Sequence, residues 1–281
     1  MALMSERQSI VDALAAVVPH VRAEFRDGRE KTRNENPSGD VQSAADRQID
    51  QLFREQLAPL EAVGAFASEE RKRVEDVGDG YSVAIDPLDG SSNLRSNNIV
   101  GTVVGVYNGS LPASGRDLIA SMVVLYGPFA TITAAIDETV TRYVVDDGAI
   151  VDSSPVTIPA EGEICGFAGS TNEWPEAVED CWRELHRDYK LRYTGAMVAD
   201  INHLLVNGGL LGYPERSSSP NGDLRLQYEA NPIAHIVETA GGRSSTGQES
   251  ILDRTPAELH EHVPAYFGNP EQISYLESTL A

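Results

Sequence analysis

The residues best suited to chemistry sit in one run, Asp86-Pro87-Leu88-Asp89-Gly90-Ser91-Ser92-Asn93. Asp86 stands at the end of an apolar, strand-like segment, Pro87 stiffens the turn, and Asp89 follows three positions on. Two carboxylates at this spacing can converge on one hard cation, which prefers oxygen ligands. Gly90, Ser91 and Ser92 then offer consecutive backbone N–H groups, a nest suited to phosphate where it opens a helix. An Asp-Pro/Asp-Gly turn without a ligand is the plainer alternative, and the complete run behind a strand argues against it. Glu69 and Glu70 form a second acidic feature. Adjacent residues on a strand point to opposite sides, so the two are expected to have different jobs. The alternative is an exposed acidic turn before Arg71-Lys72-Arg73.

The elements that must position these groups follow from periodicity. Ile10, Leu14, Val17 and Val21 recur at helical spacing, with Pro19 as a kink. Asn36-Pro37-Ser38-Gly39-Asp40 reads as a turn, and Ser43 can cap a helix whose apolar face is Ile49, Leu52, Phe53 and Leu57. Ser43-x-x-Asp46 also fits a capping box, which gives Asp46 a structural alternative to catalysis. Strands are expected at 63–67, 81–85, 99–107, 118–126, 131–136 and 141–145. Helices are expected at 175–185, 197–206, 226–240 and 270–280, with Gly241-Gly242 ending the third. The polar stretch at 156–162 is the natural boundary between a domain of residues 1–160 and one of 161–281. Helices around a strand-rich middle give an α/β (α+β) fold with layered helices and sheets.

The 281 residues carry 43 acids against 22 bases, a net charge of −21, and lysine occurs only at 31, 72 and 190. Such a surface repels nucleic acid and anionic membranes, and no run reaches the ~18 apolar residues of a membrane span. The acids are scattered along the chain, which fits a protein kept soluble in strong salt, and a halophilic source is expected. Cys165 and Cys181 show neither metal-site spacing nor a disulfide framework. A cytoplasmic setting is the expectation.

The 86–93 run resembles the signature of the metal-dependent, lithium-sensitive phosphatase superfamily, and its Ser-Ser-Asn ending is closer to the fructose-1,6-bisphosphatase class 1 family than to inositol monophosphatases. Ser68-Glu69-Glu70, Arg192-Tyr193-Thr194-Gly195-Ala196-Met197-Val198-Ala199-Asp200, Leu224-Arg225-Leu226-Gln227-Tyr228-Glu229-Ala230-Asn231-Pro232 with Ala240-Gly241-Gly242, and Gly268-Asn269-Pro270 are similar to further blocks of that family in the same order. The resemblance implies a layered αβαβα sugar-phosphatase fold and Mg²⁺-dependent hydrolysis of the 1-phosphate of D-fructose 1,6-bisphosphate, a gluconeogenic step. It implies two or three Mg²⁺ per subunit, with Mn²⁺ or Zn²⁺ as substitutes, held by Glu69, Asp86, Leu88, Asp89 and Glu229, and by Asp40 from a mobile loop. By the same resemblance Asp46 and Glu70 share the proton of the attacking water, and Arg225 meets the scissile phosphate beside Gly90, Ser91 and Ser92. A surface role for Arg225 and an exposed helix position for Glu229 are the alternatives.

Asn172, Tyr193 and Tyr213 map onto the family's pocket for the non-reacting phosphate, with Arg192 reaching toward a neighbouring subunit of a homotetramer and Met197 against the sugar. The two tyrosines and the methionine fit a core equally well. Three departures stand out. Asp223 occupies a position where the family carries a substrate-contacting lysine. Trp174-Pro175 follows Asn172-Glu173 in place of Gly-Tyr. The N-terminus lacks the family's threonine-rich AMP-phosphate loop, and Gly80 replaces a common AMP-contacting lysine, so insensitivity to AMP is expected. The rival activities are a phosphatase acting on sedoheptulose 1,7-bisphosphate, inositol phosphate or a 3′-phosphoadenosine nucleotide, and a non-catalytic cation-binding scaffold.

Overall fold

The structure, a computed structural model, describes residues 2–26, 31–35 and 41–281. The expected turn at 36–40, Asp40 with it, and the Ser43 side chain lie outside the described residues. Helix α1 (Ala2–Glu24) continues through Pro19, and its Ile10, Leu14, Val17 and Val21 are buried. After the short pair β1 (Lys31–Glu35) and β2 (Val41–Ser43) comes α2 (Ala44–Leu57), which buries Ile49, Phe53 and Leu57 and leaves Leu52 partly covered.

Strands β3 (Val63–Ser68), β4 (Glu75–Asp76), β5 (Tyr81–Asp89), β6 (Val100–Tyr107), β7 (Leu118–Tyr126), β8 (Ala130–Ile136), β9 (Thr139–Asp146) and β10 (Ala149–Pro155) form one sheet in the order β10-β9-β8-β7-β6-β5-β3-β4. From β5 to β10 it is an antiparallel meander, while β3 runs parallel to β5. The β9–β10 turn is Asp147-Gly148, with φ of 47° and 79°, the conformation that two-residue hairpin turns demand of their central residues. β10 escaped the sequence reading because most of its residues are exposed and lack an apolar alternation.

The second half builds a separate sheet from β11 (Ile164–Phe167), β12 (Lys190–Leu191), β13 (Gly209–Tyr213), β15 (Arg243–Ser245) and β17 (Ala265–Gly268), in the order β12-β11-β13-β17-β15. Its helices are α3 (Glu176–Asp188), α4 (Met197–Asn207), α5 (Asn231–Thr239) and α6 (Pro270–Leu280). A two-residue pair, β14 (Leu224–Arg225) with β16 (His262–Val263), stands beside it.

Three apolar clusters order these parts into five layers. α1 and α2 cover one face of the eight-stranded sheet through Phe66, Val83, Ile85, Val104 and Met122. The opposite face, with Ala84, Val103 and Val123, packs on α4, α5 and the inner side of the second sheet. The outer side of that sheet packs Cys165, Phe167, Leu210 and Tyr266 against α3 and α6. Strand β6 is therefore buried along its whole length, as expected for a sheet covered on both faces. Among the described residues no helix is long and apolar enough to cross a membrane.

Candidate active site

Residues three apart on a regular strand face opposite sides of the sheet. β5 breaks that rule between its two aspartates. Asp86 lies opposite Val103 of β6 and Asp89 opposite Gly101, so three steps on β5 match two on β6, which is a β-bulge. The extra residue returns Asp89 to the side of Asp86. Pro87 has no N–H to lose from the ladder. Its carbonyl accepts a 2.8 Å hydrogen bond from Thr102 Oγ1, which is also 3.0 Å from the Tyr126 hydroxyl. The Leu88 N–H donates to Asp86 Oδ1 at 2.9 Å, and the Val198 N–H, in the first turn of α4, donates to Asp89 Oδ2 at 2.9 Å. A helix N-terminus favours a carboxylate there. The Leu88 side chain is buried in the core under α1 and α2, so only its main chain is left to serve a metal.

Gly90 follows with φ 74°, and a Cβ there would lie 2.4 Å from the Ala196 methyl, so glycine alone fits. A short 3₁₀ helix begins at Ser91. Asn93 Nδ2 donates to Ile99 O at 3.0 Å and to Thr194 O at 3.1 Å, tying this loop to the segment that leads into α4.

The third carboxylate arrives from the other half. The expected helix over 226–240 is divided: Leu226–Ala230 is a π turn, and α5 starts at Asn231. Pro232 lacks the N–H that would continue an α-helical ladder to Tyr228, and the Asn231 N–H donates to Leu226 O instead. This wide turn holds Glu229, whose carboxylate accepts the Arg225 N–H at 2.7 Å. Oxygen atoms of Asp86, Asp89 and Glu229 all lie within 4.8 Å of one another, and all three residues are buried. The Arg225 guanidinium is buried beside them, 3.2 Å from Glu69 and 3.6 Å from Glu229.

Glu69 and Glu70 are in a turn past the end of β3, which corrects the expectation that they alternate on a strand. The Arg71 N–H closes that turn onto Ser68 O at 3.0 Å. Glu69 is buried and Glu70 half-buried, so they still differ in surroundings. Arg71 is no idle surface charge: it bonds Asp50 at 2.7 Å and Glu75 at 2.6 Å and anchors the turn from behind. Asp46 is buried in the first turn of α2.

Burial, then the charges of Glu69, Glu229 and Asp89, hold the Asp86 carboxyl well above its usual range, against the pull of Arg225. Burial pushes Asp89 up to about 7, opposed by the Val198 N–H and reinforced by Asp200 and Glu69. Such a set is costly as bare anions and is stabilised by divalent cations. The donor set of buried carboxylate oxygens fits a hard divalent ion.

The residues expected to take the second phosphate differ in exposure. Tyr213 is buried, and its hydroxyl donates to Asp200 Oδ2 at 2.9 Å. Asp200 Oδ1 accepts from the Thr194 N–H and hydroxyl, each at 2.8 Å. Met197 is buried at the start of α4, while Tyr193, Arg192 and Asn172 are exposed. Asp223 is not a lone acid: Arg216 grips it with contacts of 2.6, 2.7 and 3.1 Å. Neither Asp200 nor Arg216 was singled out from the sequence. Asp200 could have been found as the acid closing the 192–200 run, whereas nothing in the spacing marked Arg216.

Fructose-1-6-bisphosphatase domain families match this chain end to end, the N-terminal domain over residues 5–151 and the C-terminal domain over residues 158–281. The fructose-1,6-bisphosphatase class 1 of Halobacterium salinarum is 48% identical over 97% of this chain and 96% of its own. That of Natronomonas pharaonis is 45% identical over 96% of this chain and 97% of its own. The holo form of Leishmania major fructose-1,6-bisphosphatase superposes with a TM-score of 0.91 at 26% identity, over 98% of this chain and 94% of that one. The chain belongs to the class 1 fructose-1,6-bisphosphatase family.

Proposed function

We propose that this chain hydrolyses the 1-phosphate of D-fructose 1,6-bisphosphate, giving fructose 6-phosphate and inorganic phosphate, with divalent metal ions, Mg²⁺ first, held by Asp86, Asp89, Glu229 and Glu69. The observation that carries the reading is the meeting of Asp86, Asp89 and Glu229 from two halves of the chain beside Arg225. A divalent ion held by these carboxylates would supply Lewis acidity toward the phosphoryl group. Arg225 presents a planar guanidinium to the phosphoryl oxygens. Asp46 and Glu70 accept the proton of the attacking water, and the backbone at Gly90, Ser91 and Ser92 orients the transferred group. Asp40 joins from its loop. The far phosphate lies toward Asn172, Tyr193 and Tyr213, with Met197 against the sugar and Arg192 serving a neighbouring subunit of a tetramer. Residues 1–160 and 161–281 act as the metal-site and sugar-phosphate domains of a cytoplasmic, gluconeogenic enzyme that AMP does not inhibit.

Phosphate release from fructose 1,6-bisphosphate, sedoheptulose 1,7-bisphosphate, inositol 1-phosphate and 3′-phosphoadenosine 5′-phosphate, with and without Mg²⁺ in multi-molar KCl, tests this. Mg²⁺-dependent preference for fructose 1,6-bisphosphate is expected. Preference for another ester moves the substrate, and metal binding without turnover of any ester sinks the enzymatic reading. Strong inhibition at micromolar AMP would refute the regulatory part.

A further inference from the structure

Asp223 lines a cavity of ≈ 560 Å³ together with Arg225, Ser218 and His262. A bare acid there would oppose a doubly phosphorylated substrate. Its partner changes the chemistry. Arg216 Nη2 lies 2.6 and 2.7 Å from the two Asp223 oxygens, and Nε lies 3.1 Å from Oδ2. This is a fork, with the Nε/Nη2 edge of the guanidinium spent on one carboxylate. The remaining terminal nitrogen, Nη1, lies 3.3 Å from Glu173, its one contact among the described residues, and the Arg216 side chain keeps 22% of its surface exposed.

The backbone fixes this arginine in place. Arg216 and Ser219 bridge each other, N–H to carbonyl, at 3.0 and 2.9 Å, and the Ser217 N–H donates to Glu173 O at 2.9 Å. The stem of Arg216 crosses Gly169, where an added Cβ would meet its Cδ at 2.5 Å. Arg216 thus ties the turn that carries Asn172 and Glu173 to the loop that ends at Asp223. Burial, then the charges of Asp200 and Asp223, hold the Tyr193 hydroxyl above its usual range, while Arg216 pulls it down.

Resting on the fructose bisphosphatase reading, we propose that Arg216 is this chain's own cation for the substrate's second, non-reacting phosphate, through its Nη1 edge, and that Asp223 positions Arg216 instead of meeting the substrate. The acid at 223 then serves phosphate binding, because it orients a guanidinium that would otherwise be free to rotate. Glu173 competes with the incoming phosphate for the same edge.

Fructose 6-phosphate carries only that second phosphate, so its binding can be read by calorimetry without turnover. Arg216→Gln is expected to weaken it about tenfold or more, the loss typical of a hydrogen bond to a charged group. Arg216→Lys keeps the charge without the fork and is expected to recover part of the affinity, which a purely structural arginine would not show. Glu173→Gln is expected to tighten binding several-fold, and it serves as the test should Arg216→Gln fail to fold. Equal affinities for the wild-type, Arg216→Gln and Glu173→Gln proteins, or no binding of fructose 6-phosphate by the wild type, overturn the proposal. Arg216-dependent binding with no hydrolysis of the bisphosphate would keep it and refute the enzymatic reading; hydrolysis with Arg216-independent binding would do the reverse.

Discussion

Asp86 and Asp89 occupy one strand at a spacing that should point them apart, and the β-bulge at Pro87-Leu88 turns their carboxylates to one side. The bulge is held from β6 by the Thr102 hydroxyl, which donates to Pro87 O at 2.8 Å. Thr102→Val keeps the shape and removes the donor, leaving a buried carbonyl without that partner. Such a loss costs about 1–3 kcal/mol, and it should appear both as a lower melting temperature and as weaker Mg²⁺ binding. Weaker stability with unchanged metal affinity would show that the bulge does not depend on Thr102.

Asp86 is buried against three other acids. Neutralising it should stabilise the metal-free protein while disabling the metal site. Asp86→Asn is expected to raise the metal-free melting temperature and to cut phosphate release at least a hundredfold. A variant that melts lower without metal would mean that the charge repulsion is already relieved in the fold.

The parts of this architecture that announce themselves in the sequence are those with a long period or a rigid local rule. The stripe of α1, the apolar runs of β6 and β7 and the 86–93 turn are of that kind. The second sheet was not legible, because β11, β13 and β17 are four or five residues long and buried on both faces, so no alternation marks them, and β15 has three residues. Glu229 was readable as a ligand only through resemblance. Its π turn depends on Pro232, which simple periodicity smooths into one helix. Glu69 and Glu70 were placed on a strand that stops one residue earlier, at Ser68. Asp223 looked repulsive because its partner, seven positions away in the loop, is set by the Arg216–Ser219 bridge and not by any spacing rule.

Metal binding should follow the protonation of the cluster. Burial holds Asp89 at about 7, far above the 3.8 of an exposed aspartate. In that interval the folded, metal-free chain binds a proton that the unfolded chain has released. Its stability therefore falls as pH rises from about 4 to about 7. A divalent cation must displace that proton, so the Mg²⁺ association constant should climb with pH through about 7. Melting curves with and without Mg²⁺ from pH 5 to pH 9 read both trends, and a metal-induced shift independent of pH would contradict the assignment of Asp89 as a ligand.

The charge balance sets the response to salt. With 43 acids against 22 bases, the chain carries a net charge of −21. Local pairs such as Arg183 with Glu179 and Asp180, or Arg187 with Glu184, lie on the exposed side of α3. Each is worth at most about 1 kcal/mol and weakens in salt. Repulsion among the excess acids acts over the whole surface and is screened as the Debye length shrinks from about 10 Å at 0.1 M to about 3 Å at 1 M. The second effect outweighs the first when acids exceed bases nearly two to one, so the melting temperature should rise from 0.1 M to 3 M KCl. A protein that melts higher in 0.1 M KCl would show that its pairs matter more than its net charge, and the halophilic reading of the composition would fall.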